Sequence, residues 1–365
     1  MPITSRNKAS KPYSRASDNA ASGSKIFNKA AASTITKVAG IQMASSPQVS
    51  SNLIEAERLI ALAVEQGAKI VVLPEYFCIM GAKDIDKVAV REKASDGTTA
   101  GGGPIQRFLS KLAREYEIWL IGGTVPLACN YPNKVRNSCL VYNDKGDQVA
   151  RYDKIHLFGL DLGTEHYHEE KTIEPGDSIV VVDTPYGKIG LSICYDLRFP
   201  ELYRAMGEVD MIVIPSAFTE TTGKAHWEQL VRARAIENLC YVIAPAQGGY
   251  HLSGRETHGN SMIVDPWGVI LDRLPRGSGV VIANINRDYQ AGLRNSLPAL
   301  KHKTIKPSKW CFPLLRACLQ LLPPRDGGCV VANFHPHYPT KPLEDRLTLS
   351  CTWGGNKSAT FAEIT

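Results

Sequence analysis

The chain has 365 residues, of which 44% are hydrophobic, so it holds enough apolar material for a large globular domain. Its net charge of +6 comes from the two ends, because residues 1–37 carry seven Lys and Arg against one Asp, and residues 301–365 carry nine against four acids. The remainder is mildly acidic, and no apolar run approaches the roughly 18 residues of a membrane span. We therefore predict a protein that binds neither nucleic acid nor membrane.

The two ends of the chain differ in composition from the middle. Residues 1–37 are basic, rich in Ser and Ala and nearly without acids, which is typical of a disordered arm or of an organellar transit peptide. Residues 304–365 are dense in Pro and show little periodicity, so we expect poor order there. The nine cysteines are scattered and odd in number, which indicates reduced thiols in a cytoplasmic protein, or in a mitochondrial or plastid one if the arm is a transit peptide. The folded domain is predicted over residues 38–303.

In chain order, the predicted elements of this domain alternate between strand and helix. Apolar runs predict strands at 38–43, 69–74, 118–125, 136–142 and 148–152, and amphipathic spacing predicts helices at 52–66 and 104–116. A second series follows, with strands at 179–183, 188–193, 211–215, 241–246, 261–264, 269–271 and 279–285 and a helix at 225–239. This alternation, with hairpins interspersed, predicts an α/β layered fold with mixed sheets.

Three of the predicted strands end on a reactive side chain. Glu75 follows a short buried strand, Lys154 follows a hairpin strand, and Cys194 ends an apolar run just before Pro200 opens a helix. Each has an ordinary explanation by itself, as a helix cap or ion pair, a solvated lysine, or a buried cysteine. Strand ends at one edge of an α/β sheet form ligand crevices, so we predict that the three side chains meet. A thiol beside a carboxylate and an ammonium is a nucleophile with its base and with a charge that stabilises an oxyanion.

These motifs resemble the nitrilase, or carbon–nitrogen hydrolase, superfamily, and the resemblance runs from about residue 38 to residue 302. The resemblance implies a four-layer αββα sandwich and at least a homodimer that packs through helices near the Cys194 turn. The motifs that carry it are Leu73-Pro-Glu75, Lys154-Ile-His-Leu-Phe158, Cys194-Tyr-Asp-Leu-Arg-Phe-Pro-Glu201, the segment 226–238 and the turn Asp265-Pro-Trp-Gly268.

The same resemblance implies a role for each of these residues. Glu75 is the general base, Cys194 the nucleophile that forms a thioester, and Lys154 the stabiliser of the oxyanion. A second glutamate is implied before the Cys194 strand, and we assign it to Glu169, with Glu170 as the alternative. No metal or other cofactor is implied, and the histidines show no zinc-ligand spacing.

Two further candidates lie just after the nucleophile. The backbone N–H of Tyr195 is placed to donate to the oxyanion. Arg198 is a candidate to bind a substrate carboxylate, but an ion pair with Glu201 or with another buried carboxylate explains an arginine there equally well.

Within the superfamily, the chain is similar to the amidase branch that includes deaminated glutathione amidase and omega-amidase. Three sequence motifs favour deaminated glutathione amidase, namely Glu75-Tyr-Phe77, Ser216-Ala-Phe-Thr219 and Leu297-Pro-Ala-Leu-Lys-His302. The expected substrate is therefore a small amide that bears a carboxylate, such as deaminated glutathione. The alternatives are an omega-amidase acting on α-ketoacid amides, a nitrilase, and a non-catalytic interaction protein.

Overall fold

The computed structural model describes residues 35–95, 102–163, 165–305, 349–353 and 357–361, and the chain divides into two units, residues 1–305 and 306–365. The predicted basic arm lies outside the described residues up to residue 34, while residues 35–37 belong to the first strand. The transit-peptide interpretation therefore stays a prediction. Most of the C-terminal tail also lies outside the described residues, and its two described segments pair as an antiparallel hairpin.

Nineteen strands and six α-helices lie in the described residues. The helices are α1 (Val49–Glu65), α2 (Asp86–Ala89), α3 (Pro104–Glu115), α4 (Pro200–Ala205), α5 (Glu220–Asn238) and α6 (Arg287–Ser296). The strands are β1 (Ile35–Gln42), β2 (Ile70–Val72), β3 (Trp119–Ile121), β4 (Val125–Ala128), β5 (Val135–Tyr142), β6 (Gln148–Asp153), β7 (Gly159–Leu162), β8 (Glu165–His168), β9 (Val181–Thr184), β10 (Gly187–Leu191), β11 (Met211–Val213), β12 (Tyr241–Ala244), β13 (Gly248–Tyr250), β14 (Glu256–His258), β15 (Ser261–Val264), β16 (Ile270–Leu274), β17 (Gly279–Asn286), β18 (Leu349–Trp353) and β19 (Lys357–Phe361).

Two large mixed sheets organise residues 35–305. The first has the order β17-β1-β2-β3-β5-β4, with β6 paired to β5, and its strands β1, β2 and β3 are parallel. The second has the order β16-β15-β12-β11-β10-β9, and its strands β10, β11 and β12 are parallel. The segments that carry Glu75 and Cys194 thus leave the carboxyl ends of parallel strands, one in each sheet.

The two sheets pack against each other, and helices cover their outer faces. In β2, Val71 packs in the apolar cluster of α1 and α3, whereas Ile70 and Val72 pack in the cluster that the second sheet shares. This alternation follows from the two-residue period of a strand, and because both faces are buried the strands are apolar throughout. Helix α5 packs on the second sheet through Trp227 and Val231. The predicted αββα sandwich is therefore confirmed.

Some elements differ from the prediction. The sequence analysis did not predict helix α6. Asn286 caps this helix by accepting hydrogen bonds from the N–H groups of Asp288 and Tyr289 at 3.0 and 3.1 Å. Helix α5 begins at Glu220 rather than at residue 225, because the Thr219 side chain caps its first turn. The hairpin of β7 and β8 was also not predicted, and it stands apart from both large sheets. In the part of the chain that the structure describes, no helix has the length and apolar character needed to span a bilayer.

Candidate active site

The predicted strand-end residues converge on Lys154. Its Nζ donates to Glu75 Oε1 at 2.9 Å and to Glu169 Oε1 and Oε2 at 3.0 and 2.8 Å. Lys154 is fully buried and Glu75 is 1% exposed, so these charges must compensate each other away from water. Glu169 also accepts hydrogen bonds from the Tyr76 hydroxyl and the Phe158 N–H, each at 2.8 Å. One ammonium therefore joins two carboxylates into a single buried unit.

Neighbouring segments fix the position of Glu75. Asn137 Nδ2 donates to Glu75 Oε1 at 2.9 Å, and Gln247 Nε2 donates to the Glu75 carbonyl at 2.9 Å. Gly123 has φ +51°, and a Cβ at this position would lie 2.2 Å from the Pro74 carbonyl oxygen. Only glycine allows the chain to pass this close to the residue before Glu75.

Cys194 occupies a strained turn between β10 and α4. Its φ is 48°, in the left-handed region that costs a non-glycine residue on the order of 1–2 kcal/mol. The turn is held in place because the Cys194 N–H donates to the Pro215 carbonyl at 2.9 Å and the Ala217 N–H donates to Cys194 Sγ at 3.5 Å. Arg234 of α5 donates twice to the Leu197 carbonyl, at 3.0 and 2.7 Å. The strain is thus compensated by contacts from the following strand end and helix.

Asp196 ties this turn to the segment that carries Lys154. This carboxylate is fully buried, and its Oδ2 accepts from the Tyr152 hydroxyl at 2.7 Å and the Ile193 N–H at 2.9 Å. Its Oδ1 lies 3.0 Å from the His156 N–H and 2.7 Å from His156 Nδ1. Sequence reasoning missed this role, although a carboxylate just after the apolar run that ends at Cys194 is a signal that could have indicated it.

The electrostatics set the resting protonation of the site. Burial raises the pKa of Glu75 above its usual range, although Lys154 pulls that pKa downward. Burial and then the Glu75 carboxylate raise the pKa of the Cys194 thiol well above its usual value. Glu169 and Glu75 raise the pKa of Lys154 even though burial opposes this. For Glu169, burial is outweighed by the Lys154 and Lys87 ammoniums, so the pKa of Glu169 is lowered. At neutral pH the site therefore holds a neutral thiol and a charged lysine.

Tyr195 and Arg198, the two candidates that follow Cys194, line a cavity that Cys194 also lines. The Tyr195 N–H is in the first turn of the short helix Cys194–Arg198, where N–H groups have no partner within the helix. Arg198 forms no ion pair with Glu201 or with any other carboxylate of the described residues. Its guanidinium instead lies over the rings of Tyr195 and Phe218, each at 5.6 Å, and 3.3 Å from His226 Nδ1. The ion-pair explanation of Arg198 is thus not what the structure shows.

The two adjacent glutamates have different surroundings. Glu169 turns inward to Lys154, and 12% of its side chain is exposed. Glu170 turns outward, with 56% of its side chain exposed, and contacts His168 Nδ1 at 3.3 Å. The structure therefore brings Glu169, and not Glu170, to the buried charges.

Comparison with known proteins gives the family. The family model for carbon–nitrogen hydrolases matches residues 37–295. The chain belongs to the carbon–nitrogen hydrolase family. The deaminated glutathione amidase of Synechocystis sp. is 42% identical to this hydrolase over 271 residues, which are 73% of this chain and 97% of the relative.

Solved structures agree with this assignment of the hydrolase. The C. elegans NitFhit protein has a TM-score of 0.67 and 35% sequence identity to this chain. The match covers 75% of this chain and 66% of the C. elegans chain, so this chain spans about two thirds of the C. elegans protein. Saccharomyces cerevisiae Nit3, described as a member of branch 10 of the nitrilase superfamily, has a TM-score of 0.65 and 30% identity, with coverage of 74% and 97%.

The site of this hydrolase brings a thiol, two carboxylates and an ammonium together. Cys194, Glu75 and Glu169 line one cavity, with the buried Lys154 between the two carboxylates. A thiol, two carboxylates and a fixed ammonium are types of group that can act as a nucleophile, as proton acceptors and as a stabilising positive charge. Among the described residues, no group of three or more His, Cys, Asp or Glu side chains could hold a metal ion.

Changing Glu169 to glutamine should shift the pH dependence of kcat/KM. The negative charge of Glu169 contributes to the raised pKa of Glu75. Its removal lowers that pKa, so Glu75 stays ionised in more acidic solution and the acid limb of kcat/KM moves to lower pH. The exposed Glu170 offers a matched control, since Glu170→Gln should leave the limb in place. An unshifted limb in Glu169→Gln would contradict the electrostatic coupling of the two glutamates.

Proposed function

We propose that this hydrolase is a thiol amidase that cleaves the C–N bond of a small amide bearing a carboxylate, with deaminated glutathione as the first candidate substrate. The observation that carries the proposal is the unit of Glu75, Lys154 and Glu169, with Lys154 Nζ within 3.0 Å of both carboxylates, in the cavity that Cys194 lines. A non-catalytic interaction protein has no need to bury an ammonium and two carboxylates beside a thiol, because such groups are costly to desolvate.

In the first half of the reaction, the thiol proton passes to Glu75 while sulfur attacks the amide carbon. The raised pKa of Cys194 means that no thiolate stands ready, so a base is required in the attacking step. The oxyanion that forms is stabilised by the Lys154 ammonium and by the Tyr195 N–H. Glu75 then protonates the departing nitrogen, the C–N bond breaks and a thioester remains.

In the second half, water replaces the amine. Glu75 takes a proton from this water, oxygen attacks the thioester carbon, and the C–S bond breaks to release the acid. The proton held by Glu75 returns to the Cys194 sulfur. Glu169 keeps the Lys154 ammonium in place throughout, since it accepts two hydrogen bonds from Nζ. It also assists in orienting the water.

Arg198 supports a substrate with a carboxylate. It lies in the wall of a cavity that Cys194 also lines, and among the described residues it has no carboxylate partner. A guanidinium without a counter-charge is well suited to a bidentate pair with a substrate carboxylate. The Synechocystis relative, a deaminated glutathione amidase, supports the same substrate class.

The test is a side-by-side assay of the purified full chain on deaminated glutathione and α-ketoglutaramate. We expect a higher kcat/KM for deaminated glutathione, measured as acid formed over time. A preference for α-ketoglutaramate would assign the omega-amidase activity instead, and turnover of a nitrile but of neither amide would assign a nitrilase. A folded chain that cleaves none of these compounds would support the non-catalytic alternative.

We also propose that the hydrolase forms a homodimer through the helices near the Cys194 turn. Supporting this, α5 leaves Ile236 48% exposed beside the turn that carries Trp267, which is 56% exposed. Large exposed apolar side chains that cluster are typical of interaction surfaces. Sedimentation equilibrium of Trp267→Asp against the unmodified chain tests this, and a monomer in both cases would contradict it.

A cytoplasmic or organellar location stays a prediction.

A further inference from the structure

Two cavities meet at the nucleophile, and they differ in their lining. One is lined by Glu75 and Glu169 and also by Arg255 and Asp84. The other is lined by Tyr195, Arg198 and Phe218 and does not include Glu75. Cys194, Phe158, Ala217 and Thr219 line both. A substrate bound for attack by Cys194 can therefore extend in two directions from the scissile bond.

The proton transfer decides which half of the substrate enters which cavity. In the proposed mechanism, Glu75 donates its proton to the departing nitrogen, which must come within hydrogen-bond reach of that carboxyl. Only the first of these two cavities is lined by Glu75. The amine half of the substrate therefore extends into the cavity of Arg255, and the acyl half into the cavity of Arg198.

Arg255 has free hydrogen-bonding capacity toward this cavity. Its Nη2 pairs with Asp84, while its Nη1 lies 3.9 Å from the Met80 sulfur. The side chain is only 27% exposed, so these donors are partly shielded from water. A guanidinium carries five N–H donors in a fixed fork, and Asp84 occupies only part of it. A thioether is a weak acceptor, so a carboxylate would be a much better partner for the remaining donors.

A second polar group faces the same space. Tyr167 lines this cavity, and its hydroxyl has no hydrogen-bond partner among the described residues. Arg255 itself comes from the segment just before β14, whereas Tyr167 comes from the hairpin of β7 and β8. Two segments of the chain, one before β14 and one in the hairpin of β7 and β8, thus bring unused donors to the cavity that Cys194 lines.

We propose that Arg255, with Tyr167, binds the carboxylate on the leaving amine of a substrate such as deaminated glutathione, and so determines the preference for such a secondary amide over a primary one. This inference rests on the proposed function and sharpens it. Arg198 selects the acyl half and Arg255 the amine half. A primary amide, which releases only ammonia, would leave the Arg255 cavity empty.

The experiment compares two ligands that differ only at the distal end of the amine half. These are deaminated glutathione and the same compound with its glycine carboxylate converted to a carboxamide. For the unmodified chain we expect kcat/KM to fall by about 10- to 100-fold on loss of this carboxylate, as for one charge-assisted hydrogen-bonded pair. In Arg255→Gln the two ligands should be cleaved with nearly equal kcat/KM, because the variant loses the guanidinium that distinguishes the carboxylate from the carboxamide.

A matched variant separates the cation from its ion pair. Asp84→Asn breaks the pair with Arg255 but keeps the guanidinium, so the preference for the carboxylate ligand should persist or grow. Equal kcat/KM for both ligands in the unmodified chain would overturn the inference while leaving the amidase proposal intact. Loss of the preference in Asp84→Asn as well as in Arg255→Gln would also overturn it. If the unmodified chain cleaves no amide at all, the proposed function fails and this inference fails with it.

Discussion

Replacing Cys194 by alanine should reduce kcat by roughly 10⁴- to 10⁶-fold, as expected when a covalent nucleophile is removed. No other described cysteine lines the cavity that holds Glu75. The fold should survive, because alanine keeps the Cβ of the strained turn and loses only the sulfur. The measurement is steady-state kinetics on deaminated glutathione, together with the midpoint of thermal unfolding.

Cys240 provides the matched control for this variant. It is fully buried just before β12, and burial raises the pKa of its thiol to about 12. Cys240→Ala should therefore cost a similar amount of stability, about 1 kcal/mol, without loss of turnover. Wild-type turnover by Cys194→Ala, or an equal loss in both variants, would rule out Cys194 as the nucleophile.

Replacing Lys154 by methionine should reduce both stability and activity. The variant leaves Glu75 and Glu169 buried next to each other without their shared ammonium, and breaking such a buried pair costs about 3–5 kcal/mol. Activity should fall by at least about 10²- to 10³-fold, because an oxyanion donor is lost. Without Lys154 the pKa of Glu75 rises further, so the stability deficit should be small in acid, where Glu75 is protonated, and grow as the pH rises.

A compensated variant distinguishes the two effects of Lys154. Changing Glu75 and Glu169 to glutamine in the Lys154→Met background removes the uncompensated charges. The free energy of unfolding, measured in urea, should then recover much of its loss, while turnover should not recover. A Lys154→Met chain as stable as the unmodified one at pH 8 would show that the three charges do not depend on one another.

The residues that meet at the site were largely predictable, because the carboxyl ends of parallel strands lie at the same edge of a sheet in an α/β fold. Glu75 and Cys194 each follow the carboxyl end of a parallel strand, and the structure brings their side chains to one cavity. Lys154 follows an antiparallel hairpin strand, so its position depended more on the family resemblance. The choice of Glu169 over Glu170 also came from that resemblance, and the structure places Glu169 against Lys154.

The residues that were not predicted are those whose partners are distant in the chain. Asn137 contacts Glu75 across 62 residues, and Gln247 contacts the Glu75 carbonyl across 172. Neither has a local pattern that sets it apart from other polar residues in strands and loops. Arg255 lies in a Gly-rich segment with no periodicity, so its orientation depends on tertiary packing alone. Asn286 is different, since an N-cap followed by an acidic residue is a readable signal for α6.

The raised pKa of the Cys194 thiol has a consequence for its chemical durability. Peroxides and alkylating reagents attack the thiolate form of a cysteine, and a buried neutral thiol presents very little of it. Cys194 is 7% exposed and protonated at rest, so its sulfur should react slowly with electrophiles that are not substrates. In the proposed mechanism, Cys194 becomes reactive only when a bound ligand places a carbonyl carbon at the sulfur and Glu75 accepts the proton. We therefore expect the burial that raises the pKa of Cys194 also to slow its oxidation by peroxides.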